Sequence, residues 1–183
     1  MINIQFVYQK LIKLCTLFLV LILAVSCTTP KRMAKPSPIS KNQVKVLEKK
    51  LGFSISANDP NIALYNEAAQ WLGTPYRYGG MSKKGADCSG VTLQIYKAIY
   101  KKNLHRTSAD MAKHDVRNIS KNSLRAGDLI FFATSRNKKA ITHVGVYLKN
   151  NYFIHASSKA GVVVNNLSED YYKKTYKQSG RVK

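Results

Sequence analysis

Thr142-His-Val-Gly-Val-Tyr-Leu-Lys-Asn-Asn-Tyr-Phe-Ile-His-Ala-Ser157 decides what kind of fold this chain can adopt. Two apolar, β-rich runs flank Lys149-Asn150-Asn151, and asparagine accepts the left-handed backbone that a tight hairpin turn requires. Pairing around Asn150 sets His143 about opposite Ser157. His155 is then a diagonal neighbour of His143 on the same face, within side-chain reach. Two more short β-rich runs, 128–132 and 162–165, sit on either side of this hairpin, with turn signals between them. No long helix crosses between the strands, so the sheet is expected to be antiparallel.

Upstream the period changes. Val44, Leu47 and Leu51 recur at helical spacing over 42–51, and Gly52 supplies a stop. A second helix is expected over 60–72, with Ile62, Leu64, Ala68, Ala69 and Leu72 available for burial, Asp59 as cap and Gly73 as end. A third starts at Asp87, a good N-cap, and places Val91, Ile95, Ala98 and Ile99 on one face. A short helix is expected over 107–114, where Asp110 follows Thr107 in capping-box fashion. Gly73-Thr-Pro-Tyr-Arg-Tyr-Gly-Gly80 is too rich in glycine and proline for a regular element and reads as a loop. Helices first and strands afterwards give an α+β domain.

The N-terminus reads as an address. Lys10 and Lys13 precede an apolar run from Leu14 to Val25 that ends in Ala24-Val25-Ser26-Cys27, the form of a secretory signal. The run is short for a membrane span, which needs about 20 apolar residues. Leu23-Ala-Val-Ser-Cys27 resembles the lipobox of bacterial lipoproteins, with the leucine one place early, and an ordinary signal peptidase would also leave Cys27 first. Residues 28–41, with Pro30, Pro36 and Pro38, read as a flexible basic tether. The expected organisation is a signal over 1–26, a lipidated N-terminus with tether and short helix over 27–57, and one catalytic domain over 58–183.

The chain of 183 residues carries 30 Lys and Arg against 9 Asp and Glu, a net charge of +21. Such a balance suits an anionic setting: nucleic acid, a membrane surface or a wall polymer. Secretion argues against nucleic acid. Among three cysteines, Cys15 leaves with the signal and Cys27 is taken by the lipid. Cys88 remains as a lone thiol in a compartment where cysteines usually pair. Its place at the first turn of a helix offers amide N–H groups and the helix dipole, which lower a thiol pKa and stabilise an oxyanion. If the hairpin brings His143 and His155 to Cys88, one imidazole serves as base while the other orients it. The same three residues are also a candidate zinc set, without the CxxC or HExxH spacing of such sites. His105 and His114 lie in a lysine-rich region with no partner in view.

Asp87-Cys88-Ser89-Gly90, Arg125-Ala-Gly-Asp-Leu-Ile-Phe-Phe132, His143-Val-Gly-Val-Tyr147 and His155-Ala-Ser157, in this order and with the loop 73–80 before them, resemble the NlpC/P60 family. The likeness runs from about Ile62 to the C-terminus. Ser82-Lys-Lys-Gly85 and Tyr171-Tyr-Lys-Lys-Thr-Tyr176 make it similar to the family's short murein-endopeptidase lipoproteins of the Gram-negative outer membrane. The resemblance implies a papain-like α+β core with Cys88 as nucleophile, His143 as general base and His155 as orienting residue. It implies that Tyr76 is an oxyanion or substrate contact and that Asp87 and Ser89 help line the cleft. It further implies peptidoglycan stem peptides as substrate, a lipid anchor at Cys27, no metal or cofactor, and a monomer. The bond cut is then the D-alanine–diaminopimelate cross-link or, as is usual across the family, that between γ-D-glutamate and a diamino acid; a non-catalytic wall-binding module is the other reading. Tyr78 departs from the family, which often has tryptophan there. Thr28 in place of aspartate after the lipidated cysteine points to the periplasmic face of the outer membrane.

Overall fold

The computed structural model describes residues 39–136 and 138–183. The expected signal, the expected lipidation residue Cys27 and nearly all of the expected tether lie outside the described residues.

Helix α1 spans Lys41–Leu51 and opens on a capping box: Ser40 Oγ accepts from Gln43 N (3.3 Å), and Gln43 Oε1 accepts from Ser40 N (2.9 Å). Gly52, at φ +80°, closes it by donating to the Glu48 carbonyl. Its buried face is Val44, Leu47 and Leu51, the spacing read from the sequence. Helix α2, Ile62–Trp71, starts two residues later than expected and has no side-chain cap. Asp59 does something else. Its Oδ1 accepts from the Asn61 backbone and side-chain amides, and its Oδ2 pairs with Lys149 at 2.8 Å, which ties the start of α2 to the far end of a strand.

The loop 73–80 leads into a two-rung hairpin, β1 (Met81–Ser82) and β2 (Gly85–Ala86). Helix α3, Cys88–Tyr100, follows at once, with Asp87 as N-cap accepting from Gly90 N at 2.7 Å. Its buried side is Ser89, Gly90, Val91, Thr92, Ile95 and Tyr96. Ala98, expected on that face, is exposed, because the stripe centres on Thr92 and Ile95 and turns Ala98 outward. The short helix α4 is only Ser108–Asp110, capped by Thr107, and runs into a wide turn over Met111–Asp115.

The sheet is six-stranded and antiparallel throughout, in the order β3-β8-β4-β5-β6-β7. Its members are β3 (Val116–Ile119), β4 (Leu129–Phe132), β5 (His143–Lys149), β6 (Tyr152–Ser157), β7 (Gly161–Asn166) and β8 (Tyr176–Val182), with helix α5 (Asp170–Thr175) before β8. The β5–β6 turn places Asn150 and Asn151 at φ +50° and +67°, and the register Val146↔Ile154 and Tyr147↔Phe153 is that of pairing about residue 150. Strands β3 and β8 carry too few apolar residues to be seen in the sequence. Lys177, Gln178 and Arg181 interrupt any alternation in β8; the strand is paired along its backbone with both β3 and β4, and Arg181 adds a fork onto the buried Asp128 at the start of β4 (2.8 and 2.7 Å).

One core packs Leu129, Phe131, Val144, Val146, Leu148, Ile154 and Ala156 of the sheet against Leu64, Ala68, Val91 and Ile95 of α2 and α3. Helix α1 joins the same core through Val44, Leu47 and Leu51. The opposite sheet face carries Ile130, Phe132 and Phe153, covered by Leu167 and by Tyr172 from α5. Strand β4 is therefore buried on both faces, the reason Leu-Ile-Phe-Phe reads as an unbroken apolar run.

Candidate active site

Cys88 is positioned by main-chain contacts around the first turn of α3. The Pro75 carbonyl accepts from Ala86 N, the Ala86 carbonyl from Arg77 N, and the Gly80 carbonyl from Asp87 N, at 3.0 to 3.1 Å, so the loop is stitched to the segment before the helix. Gly79, at φ +74°, donates to Asp87 Oδ2 at 2.8 Å. A Cβ on Gly90 would run into the Gly80 carbonyl, so glycine at 90 is what lets helix and loop approach this closely.

Asp87 and Ser89 flank the thiol in sequence but are themselves buried and fully engaged. Arg106 donates to both Asp87 oxygens (3.1 and 2.7 Å) and to Ser89 Oγ (2.7 Å), while Ser89 Oγ donates to Asp87 Oδ1. Burial works to raise the Asp87 pKa, but Arg106 and the amides of Gly90 and Gly79 hold it below the usual carboxylate value. The sequence reading missed Arg106. The sign available was an arginine among lysines, the side chain that fits a carboxylate bidentately.

His143 and His155 come from adjacent strands and meet as the register requires: His143 Nε2 lies 2.9 Å from His155 Nδ1, with the rings edge to face. Behind them His155 Nε2 is 2.9 Å from Asn165 Oδ1 and 3.0 Å from the Tyr172 hydroxyl. Asn165 Nδ2 donates to both oxygens of Glu169 at 3.1 and 3.0 Å. His155 is 2% exposed and stacks on Phe153. His143 is partly buried and lines the cleft. Burial first, then its neighbour His155, pushes its pKa down to about 3. Burial also lowers His155, against the pull of Asn165. Asn165, Glu169 and Tyr172 were not legible as site residues, because their link to His143 exists only once β5, β6 and β7 pair side by side.

These groups share a cavity of about 170 Å³ walled by Tyr76, Cys88, Thr134, Thr142, His143, His155 and Tyr172, among others. The Cys88 sulfur sits against β5, where the Val144 amide donates to it. The effect on its pKa differs from the sequence expectation. Burial raises the thiol above its usual value; the amides of Val144, Ser89 and Cys88 itself pull the other way without prevailing, and the Asp87 charge adds to the rise. These directions favour the neutral forms of the Cys88 thiol and the His143 imidazole. Tyr76 bridges to Ala86 and faces this cavity, and burial first, then the Asp87 charge, raises its pKa, so its hydroxyl remains a donor. Asp87 and Ser89 are not part of the cavity wall. His105 and His114 stack on each other at 5.1 Å, with His105 bonded to Asp115. Among the described residues no three His, Cys, Asp or Glu side chains converge as a metal site.

A helix-borne thiol facing a sheet-borne histidine in an α+β domain is the papain-like arrangement. The chain belongs to the NlpC/P60 family, whose sequence pattern matches residues 73–181. It is 41% identical over 120 residues to a probable endopeptidase NlpC homolog of Haemophilus influenzae, covering 66% of this chain and 60% of that one. It is 35% identical over 124 residues to the murein DD-endopeptidase MepS/murein LD-carboxypeptidase of Escherichia coli, covering 68% and 64%. The match thus spans somewhat under two thirds of the length of these curated relatives. Among solved structures, an NlpC/P60 family protein of Bacillus cereus superposes with a TM-score of 0.60 at 33% identity, over 65% of this chain and 39% of that one.

Proposed function

We propose that the chain is a thiol peptidase that cuts peptidoglycan stem peptides, with the D-alanine–diaminopimelate cross-link as its bond. One observation carries the reading: a thiol at a helix N-terminus and a hydrogen-bonded histidine pair line one cavity within an NlpC/P60 domain. The Escherichia coli relative named as a murein DD-endopeptidase supports the substrate class.

In this reading the neutral pair sets the order of events. His143 takes the thiol proton as Cys88 attacks the scissile carbonyl, so charge develops only once substrate is present. The amide groups at the start of α3, with the Tyr76 hydroxyl, stabilise the oxyanion. His143 then gives its proton to the leaving amine; water attacks the acyl-enzyme as His143 takes its proton, and the thioester C–S bond breaks, releasing the peptide acid while His143 returns the proton to the Cys88 sulfur. His155 keeps the His143 ring in place. The reaction uses no metal or cofactor. A lipid on Cys27 tethers a monomer to the periplasmic face of the outer membrane, and the positive charge suits an anionic wall.

The test is digestion of purified sacculi with products identified by mass. Loss of cross-linked dimers is expected; shortened stems would instead favour the γ-D-glutamyl cut. Products unchanged by Cys88→Ala would overturn the thiol assignment, and intact sacculi bound without turnover would mark a binding module. Mass analysis of the mature N-terminus tests the lipid.

A further inference from the structure

Glu169 sits on the surface at the cap of α5, and its position is fixed by the backbone: Asn166 N donates to its Oε1 at 2.7 Å, and Glu169 N donates to the Asn166 carbonyl at 3.1 Å. A carboxylate only accepts. Both oxygens face Asn165 Nδ2, so the Asn165 amide can stand only one way round, with Oδ1 turned toward His155. That oxygen also only accepts, which obliges His155 Nε2 to carry the hydrogen across 2.9 Å. Tyr172 agrees with this assignment. Its hydroxyl donates to Asn165 Oδ1 at 3.2 Å and leaves a lone pair for His155 Nε2–H. A neutral His155 then has a bare Nδ1, which obliges His143 Nε2 to be the donor across the next 2.9 Å. The one ring nitrogen of His143 left with a lone pair is Nδ1.

We propose that Glu169, acting through Asn165 and Tyr172, is a positioning residue that fixes the tautomer of both histidines and so presents His143 Nδ1 as the proton acceptor for Cys88. The inference rests on the reading of His143 as base, but the tautomer control itself is a property of the folded chain. Without the carboxylate, the Asn165 amide is free to turn its nitrogen toward His155, which would hold Nε2 bare and give His143 the wrong protonated nitrogen. An exposed acid four residues beyond a strand asparagine thus reaches the thiol's base through that asparagine and one imidazole.

Nuclear magnetic resonance on the full-length, ¹⁵N-histidine-labelled chain at neutral pH separates protonated from bare ring nitrogens. The wild type is expected to show His143 and His155 both as the Nε2–H form. Glu169→Gln, whose amide can face Asn165 either way, is expected to give mixed tautomers at both rings and to lower kcat about tenfold with KM unchanged, since a wrong tautomer removes the base without removing the binding site. The double variant Glu169→Gln, Asn165→Asp restores an acceptor-only group facing His155, and is expected to recover the single tautomer and most of kcat. An Nδ1–H form in the wild type, or Glu169→Gln with tautomers or kcat unaltered, would overturn the relay. Because the tautomers are read without substrate, a chain inactive on sacculi would sink the proposed activity while leaving the relay to be decided by the spectra.

Discussion

The half of the site that carries Cys88 is held by main-chain contacts, whereas the half that carries His143 is held by a file of side chains. On the first side, the amides of Gly79 and Gly90 and the carbonyls of Pro75, Gly80 and Ala86 are the anchors, with the Asp87–Arg106 pair locking the cap. On the second, His143, His155, Asn165 and Glu169 follow one another across β5, β6, β7 and the start of α5. The difference teaches where each half is vulnerable. Backbone contacts resist side-chain substitution but not a change in backbone space. A relay of side chains tolerates small backbone shifts but fails in protonation state when any member changes its donor pattern.

The largest expected effect comes from the two groups at which the halves meet. Cys88→Ala is expected to lower kcat by about 10⁵ or more, and His143→Ala by about 10³–10⁴; the double variant should fall no further than Cys88→Ala alone. A double variant much worse than Cys88→Ala, read from initial rates of muropeptide release, would mean the two do not act as one unit. Next is the backbone side. Gly90→Ala puts a methyl group against the Gly80 carbonyl and is expected to cost about 1–3 kcal/mol by overpacking, read as a lower denaturant midpoint at unchanged slope. Arg106→Ala leaves the Asp87 carboxylate without its cation. Arg106 is 37% exposed, so the cost is expected to be about 1–2 kcal/mol, below that of a fully enclosed pair; Arg106→Lys should recover only part, because an ammonium cannot fork.

Two smaller effects follow from protonation. Burial holds the folded pKa values of His143 and His155 below the ordinary 6.5, that of His143 at about 3. A folded pKa below the unfolded one contributes stability that is present above about 6.5 and lost as the pH falls toward 3, where the unfolded chain binds protons the folded chain refuses. Between pH 7 and pH 5 the melting temperature is expected to drop by about 5 °C, and less in a variant with both histidines replaced by glutamine. Cys88, raised by burial above its usual 9.0, should react slowly with iodoacetamide at pH 7 and faster as the pH passes 9. A rate already level below pH 7 would mean a preformed thiolate and would break the neutral-pair reading.

The loop with its glycines, the cap at Asp87 and the thiol one residue later stand in a single stretch of sequence, so the Cys88 half of the site was legible there. So was the His143–His155 contact, because Asn150 and Asn151 permit only a tight turn and a hairpin's register is set by its turn. Asn165, Tyr172 and Glu169 were not, since asparagine, tyrosine and glutamate at those places look like ordinary strand-end and helix-start residues. Strands β3 and β8 escaped for a related reason: β8 carries Lys177, Gln178 and Arg181 instead of alternating apolar residues, and its place comes from pairing with strands β3 and β4. The direction of the Cys88 pKa shift was misjudged for want of burial, which no local spacing reports.

By itself the sequence determined the run of helices followed by strands, the place of Cys88 at a helix start and the pairing that joins two histidines, because turn chemistry, capping and side-chain period act over a few residues. Only the tertiary structure decided how deeply the thiol and imidazoles are buried, which charge faces Asp87, and which ring nitrogen of His143 is bare. Those depend on desolvation and on donor–acceptor matching between segments up to 90 residues apart, as in the bond from Lys149 to Asp59, and such matching exists only once the sheet has assembled.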